Sequence, residues 1–462
     1  MFGAQCPVRN KARGGCCDSL EKLHGWAGAR TTAIGSINGL GAPEGALALS
    51  SLARDDTVML SSLLLLLAQA TAAPTPSPTP PLSAATAPAP RPAPPAATWL
   101  ARDAQFTIPK FRFRSGETLQ ALRINYTTLG NPHRNARGEI DNAVMVLHGT
   151  GGTGRQFLSP QFADELYGRG QPLDITRYWI ILPDGIGHGK SSKPSDGLHM
   201  RFPHYDYDDM VEAQYRLLRD GLGIRHMRLV MGTSMGCMHS LVWGETHPDF
   251  VGALMPLACE PVEIAGLNRM WRQLTIDGIE ADPAWAGGEY RTPPTQGLRT
   301  AASLLFVAGA APLYFQARYP RRETAEAFAR ERVAASIAGT DANDLIYQID
   351  ASRTYAPWQR LEAITAPTMW VNSADDFINP RNLDLPMRAV ARMKDARFRL
   401  IAESTETRGH GTHTSARFWK QDLADLLQRT QRCERPRCRT QPATRSTGTT
   451  IISAGTMRSR RS

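Results

Sequence analysis

Short, mostly apolar stretches of strand length punctuate the middle of the chain: Ala143–Leu147, Tyr178–Leu182, Met227–Met231, Ala253–Leu257, Met369–Val371 and Phe398–Ile401. Runs of this kind mark strands covered on both faces, as in a mostly parallel sheet. Between them, the spacing of Met210, Val211, Leu217 and Leu218 predicts a helix. Phe418, Trp419, Leu423, Leu426 and Leu427 predict another near the end. The alternation predicts the α/β class, a mostly parallel central sheet with flanking helices. Residues 262–362 break the rhythm with a mainly helical pattern between two strands, which reads as a helical cap inserted over one edge of the sheet.

The flanks have a different texture. Residues 60–67 read Leu-Ser-Ser-Leu-Leu-Leu-Leu-Leu and are followed by Ala68-Gln69-Ala70, a short apolar run with a small-x-small step. This is the shape of a secretory signal, too short to span a bilayer, so stable membrane insertion is not expected. A signal at 59–72 makes 1–58 a doubtful leader, with translation beginning at Met59. Ten prolines among Ala, Thr and Ser make 73–98 a semi-rigid linker. The folded body is expected over 99–430, with 431–462 a basic disordered tail. If the signal is used the protein is exported, periplasmic or secreted; otherwise it is cytoplasmic.

Composition narrows the function classes. Of 462 residues, 42% are hydrophobic and 21% charged, which excludes wholesale disorder. The net charge of +10 suggests nucleic acid until its distribution is read. Residues 429–462 hold nine Arg and one Glu, leaving the body nearly neutral, so no nucleic-acid partner is expected. Of seven cysteines only Cys237 and Cys259 fall in the body, so no disulfide framework is expected and Cys237 reads as a packing residue. Cysteine and histidine spacings match no metal site, and no metal or cofactor is called for.

Chemistry enters at Gly232-Thr233-Ser234-Met235-Gly236. A strand pattern precedes this G-x-S-x-G string and a helical pattern follows, as in a turn that pushes a serine hydroxyl out of the chain. Two glycines leave room for the turn, and the Met235 N–H is placed to face a developing oxyanion. A serine hydroxyl needs a base, and the base an orienting carboxylate, in the chain order Ser, acid, His. His410, flanked by Gly409 and Gly411, is the expected base, with His413 in reserve. Asp376 is the expected acid because Asp376-Phe377-Ile378-Asn379-Pro380 forms an acid-x-x-x-Pro turn, with Asp375 in reserve; an N-cap role would also suit an acid there. Of the remaining histidines, His188 is expected nearest the site.

Gly149-Thr150-Gly151-Gly152-Thr153-Gly154 matches a dinucleotide-binding string on paper, with Asp184 ending the next strand. The interval to Asp184 is longer than that fold uses. The preceding His148 instead makes the run a His-Gly-x-Gly oxyanion loop, with Thr150 N–H the second donor.

Taken together, the residues resemble the homoserine O-acetyltransferase-like branch of the α/β-hydrolase superfamily. The resemblance runs through most of 119–428: Ile124–Gly130, Phe202-Pro203, Asp209-Met210-Val211-Glu212-Ala213-Gln214, Gly232–Met238 and Asp341–Tyr347. It implies Ser234, Asp376 and His410 as a triad working through an acyl-serine, on a small-molecule acyl substrate. Departures from the family include Asp184–Ser192, a generic hydrolase stretch, and Gly409-His410-Gly411-Thr412-His413 around the base. The cap also lacks the Arg-Thr/Ser-Ile-Ala run of the amino-acid acceptor region. An exported enzyme would not meet cytoplasmic acetyl-CoA, and together with the missing acceptor run this favours a hydrolase of a small or medium ester, amide or lactone over an O-acyltransferase; a non-catalytic ligand-binding member of the fold is the third reading. The sequence leaves the oligomeric state open.

Overall fold

The computed structural model describes residues 99–433. The leader 1–58, the signal 59–72, the linker 73–98 and the tail beyond 433 lie outside the described residues. The strands are β1 (Arg102–Arg112), β2 (Thr118–Leu129), β3 (Ala143–Leu147), β4 (Trp179–Pro183), β5 (Leu229–Thr233), β6 (Leu254–Leu257), β7 (Thr368–Ser373) and β8 (Ala396–Ile401). They form one sheet in the order β1-β2-β4-β3-β5-β6-β7-β8. β1 and β2 pair antiparallel, β2 pairs antiparallel with β4, and every pairing from β4 through β8 is parallel.

Each predicted strand is present, β3 with the predicted bounds and the others with ends moved by at most two residues. Met227, for instance, makes an isolated bridge to Val251 while β5 begins at Leu229. The β1–β2 hairpin was not anticipated. In β1 only Ile108 and Phe111 are buried, too sparse a pattern to read as a core strand.

The central strands read as continuous apolar runs because both faces are covered. Alternate residues of β3 feed two cores: Val144 and Val146 pack on one side, Ala143, Met145 and Leu147 on the other. At the β8 edge, Arg397 and Arg399 keep the strand from offering an apolar edge to another chain.

The helices are α1 (Pro160–Leu166), α2 (Tyr207–Arg216), α3 (Met235–Thr246), α4 (Gly266–Glu280), α5 (Thr295–Ala308), α6 (Pro312–Arg318), α7 (Arg322–Ile337), α8 (Ala342–Asp350), α9 (Leu385–Val390) and α10 (Lys420–Cys433). Two starts are fixed by side-chain caps. Asp206 accepts from Asp209 N–H at 3.0 Å ahead of α2, and Asp341 accepts from Asp344 N–H at 3.0 Å ahead of α8. Between β6 and β7 the chain makes α4 to α8 with a core of their own, in which Trp271, Ile276 and Ile279 of α4 pack with Leu298 and Ala301 of α5 and Ile346 and Ile349 of α8. Among the described residues no single helix is long and apolar enough to cross a membrane, and no cluster of three metal-ligating side chains occurs.

One expectation is corrected. Cys237, near the start of α3, and Cys259, just after β6, form a disulfide. Neighbouring parallel strands bring the two Cα atoms to 5.8 Å, within bridging range, although 22 positions separate them in sequence.

Candidate active site

β5 runs into α3 through Ser234, whose backbone sits at φ 56° and ψ −112°. A non-glycine residue at positive φ is strained and persists only where its surroundings fix it. Ser234 N–H donates to Leu257 O on β6 at 2.9 Å, and its carbonyl accepts from Met238 N–H at 3.1 Å. The two glycines are required by close packing: a Cβ on Gly232 would collide with Gly236 O, and one on Gly236 with Leu147 O on β3.

His410 arrives on the segment after β8. Its Nε2 lies 2.8 Å from Ser234 Oγ and its Nδ1 2.8 Å from Asp376 Oδ2. An ionised carboxylate only accepts, so Nδ1 carries the proton and the Nε2 lone pair faces the hydroxyl. Asp376 follows β7 and is wholly buried. Its Oδ1 accepts from Ile378 N–H at 2.9 Å and Asn379 N–H at 3.2 Å, and its Oδ2 from Asn379 Nδ2 at 2.9 Å. Burial pushes this carboxyl upward, but the adjacent His410 and the hydrogen bonds from His410 and Asn379 outweigh it and hold the group below the usual carboxylate range. The turn that caps the backbone and the orientation of His410 thus use different oxygens of one side chain.

The reserve residues have other places. Asp375 Oδ2 accepts from Thr407 Oγ1 at 2.8 Å and Gly409 N–H at 3.0 Å, at the base of the loop that carries His410. The His413 ring packs 4.9 Å from that of His410, and burial drives its pKa down to about 3, so it stays neutral. His188 is buried against His148, ring centroids 4.8 Å apart, and does not line the site.

The Gly149–Gly154 loop crosses directly over the serine: a Cβ on Gly149 would meet Ser234 Cβ at 3.3 Å. His148 Nε2 accepts from Gly185 N–H at 2.9 Å, which leaves Nδ1 to donate to Gly149 O at 2.9 Å and pins the loop. Asp184 accepts from Gly154 N–H at 2.8 Å, Asn125 Nδ2 at 2.8 Å and Lys190 N–H at 3.0 Å, so this carboxylate is spent inside the fold rather than on a ribose. Thr150 lines the space around Ser234 and His410. Met235 is the first residue of α3, where an N–H has no intrahelical acceptor.

Ser234 and His410 open on two spaces. One is a cavity of about 1130 Å³ under the α4–α8 cap. The other, of about 440 Å³, is walled by Gln156, Phe157, Gln161, Phe162 and Thr414. Arg272 of α4 lines the larger one and was missed by sequence reading. It is 3% exposed, its Nε donates to Asn268 Oδ1 at 2.9 Å, and its Nη1 lies 3.3 Å from Ile349 O and Ser352 Oγ. Among the described residues no carboxylate lies within ion-pair distance of it.

The α/β hydrolase fold family model matches residues 142–400. A "Probable acyltransferase" of Methanothermobacter thermautotrophicus is 31% identical over 285 residues, covering 61% of this chain and 85% of that protein. The homoserine O-acetyltransferase of Thermobifida fusca is 28% identical over 303 residues, covering 58% of this chain and 78% of that protein. Among solved structures, an acetylester hydrolase from Corynebacterium glutamicum superposes with a TM-score of 0.63 at 22% identity, over 71% of this chain and 96% of that one, a likeness of fold. The chain belongs to the α/β-hydrolase fold family, in its homoserine O-acetyltransferase-like branch.

Proposed function

We propose that this protein is a serine-dependent acyl-transfer enzyme. Ser234 is the nucleophile, His410 the general base, Asp376 the carboxylate that orients it, and the Met235 and Thr150 N–H groups the oxyanion donors. The carrying observation is the unbroken line from Ser234 Oγ through His410 to buried Asp376, both contacts 2.8 Å, on a serine held at positive φ. Ser234 Oγ attacks the acyl carbonyl as its proton passes to His410 Nε2. Collapse of the tetrahedral adduct expels the leaving oxygen or sulfur, which takes that proton, and leaves an ester on Ser234.

The acyl group then goes to an acceptor hydroxyl, deprotonated by the same histidine. The names of the relatives favour this O-acyltransferase reading over hydrolysis. Arg272 supports it as well, since a buried guanidinium without a carboxylate partner suits a small hydroxy compound that brings a carboxylate. A specific observation keeps hydrolysis as the second reading. The Cys237–Cys259 bridge fits an oxidising compartment, and with the 59–72 signal it supports export, away from cytoplasmic acyl-CoA.

Thiol release from acetyl-CoA, with and without L-homoserine, separates the two, with Ser234→Ala as control. Serine-dependent release that requires the acceptor establishes the transferase. Release of acid from simple esters without an acceptor, and none from acetyl-CoA, establishes the hydrolase.

A further inference from the structure

We propose that the cap holds an acyl-chain chamber, and that the group carried by Ser234 is a medium-length hydrocarbon acyl of about six to ten carbons rather than acetyl. The inference rests on the acyl-Ser234 part of the reading above and is indifferent to whether water or an alcohol deacylates the enzyme.

Three observations carry it. The first is size: the cavity holding Ser234 measures about 1130 Å³, so an acetyl group would leave most of it to water. The second is the character of one wall. Leu298, Ala302 and Leu305, at positions i, i+4 and i+7 of α5, turn one helical stripe to this cavity. Phe306, Phe315 and Phe328 continue it, with ring centroids 5.6 to 6.2 Å apart. None of these six side chains can donate or accept a hydrogen bond, so they offer hydrocarbon contact alone, while Tyr314 and Tyr319 pack their rings against Phe315 and Phe328 along the same wall. The third is what lies behind. The same three phenylalanines also border a second cavity of about 980 Å³, so they stand as a partition between two spaces instead of being packed into a core. A partition of half-buried rings can yield to a longer chain, whereas a packed core resists added volume. Arg272, the group that would hold a hydroxy-acid acceptor, reaches the same cavity from α4, a different helix from the stripe on α5.

The test uses ethyl 4-nitrophenyl alkylphosphonates with methyl, butyl and octyl chains on the full-length protein. Ser234 Oγ bonds to phosphorus, 4-nitrophenolate leaves, and the Oγ proton goes to His410. Released nitrophenolate gives the rate, and no acceptor is involved. We expect the second-order rate constant to rise about twofold per methylene, about half of the fourfold that full burial of each would give, and so about a hundredfold from methyl to octyl. Ala302→Trp and Leu305→Trp should each lower the octyl-to-methyl ratio at least tenfold. Leu305 is the half-buried site of the two, so it serves if the Ala302 variant fails to melt cooperatively. Equal wild-type rates for methyl and octyl overturn the chamber while leaving Ser234 as nucleophile, as does a ratio unchanged in a folded variant. Absence of phosphonylation at every chain length overturns the acyl-Ser234 reading and the chamber with it.

Discussion

Asp375 and Asp376 are adjacent in the chain, yet their carboxylates serve different parts of one apparatus. Asp376 accepts a hydrogen bond from His410 Nδ1–H, while Asp375 accepts from Gly409 N–H and Thr407 Oγ1 in the loop that delivers His410. Replacing Asp376 with Asn puts a donor where an acceptor is needed and favours the wrong imidazole tautomer. Asp376→Asn should therefore lower kcat about ten-thousandfold. Asp375→Asn keeps an acceptor for Gly409 and should lower kcat by only about tenfold, with a lower Tm. Steady-state rates on one activated ester, alongside thermal melts, compare the two; equal losses in kcat would contradict this division of labour.

His410 and His413 are separated in the same way. His410→Ala should lower kcat at least a thousandfold with little change in Tm. His413 lies half-buried beside it, with its carbonyl accepting from Trp419 Nε1 at 3.0 Å. His413→Ala should keep kcat within about tenfold and lose about 1–3 kcal/mol of stability to the vacated space. A kcat loss in the His413 variant matching that of His410 would reverse the assignment of the base.

Much of this site was legible because chemistry and topology constrain each other. Ser234, Asp376 and His410 stand after the ends of three strands, β5, β7 and β8, on the side where a parallel sheet gathers its loops. The glycines around Ser234 and the acid-x-x-x-Pro turn carry local geometry that a sequence can display. Arg272 and the Cys237–Cys259 bridge could not be read that way. Arg272 looks like any helix arginine until α4 packs on α8 and Ser352, and the bridge depends on β5 and β6 being neighbours in the sheet. The β1–β2 hairpin stayed hidden because an edge strand with one half-covered face shows few apolar residues.

Glu260, beside the bridge, gives stability a pH dependence. It is 6% exposed, and burial, reinforced by the nearby Asp376 charge, raises its pKa to about 8 from an ordinary 4.5. Below pH 4.5 the folded and unfolded states both hold the proton. Between 4.5 and about 8 the folded state keeps a proton that the unfolded chain has released, so stability falls as pH rises through that window. Glu260→Gln removes the term. Its Tm advantage over wild type should be small at pH 5 and grow to the equivalent of about 3 kcal/mol by pH 8. A difference that is flat with pH would mean that Glu260 is ionised in the folded protein.

The disulfide itself makes the last prediction. Cys237 lies three residues beyond Ser234, and the bridge closes a segment of 22 positions containing most of α3 and all of β6. Closing a loop of that length restricts the unfolded chain by about 3 kcal/mol. Both residues are buried, so serine replacements would add the cost of burying hydroxyls, and Cys237→Ala with Cys259→Ala is the cleaner pair. That double variant should lose about 3 kcal/mol in denaturant melts. Its kcat at 25 °C should stay within about tenfold, because Ser234 N–H remains bonded to Leu257 O and the two glycines still set the turn. Peptide mapping of unreduced wild type should recover Cys237 and Cys259 in one cross-linked fragment. Two free thiols, together with an unchanged melt in the double variant, would remove the bridge from the account and with it the chemical support for an oxidising compartment.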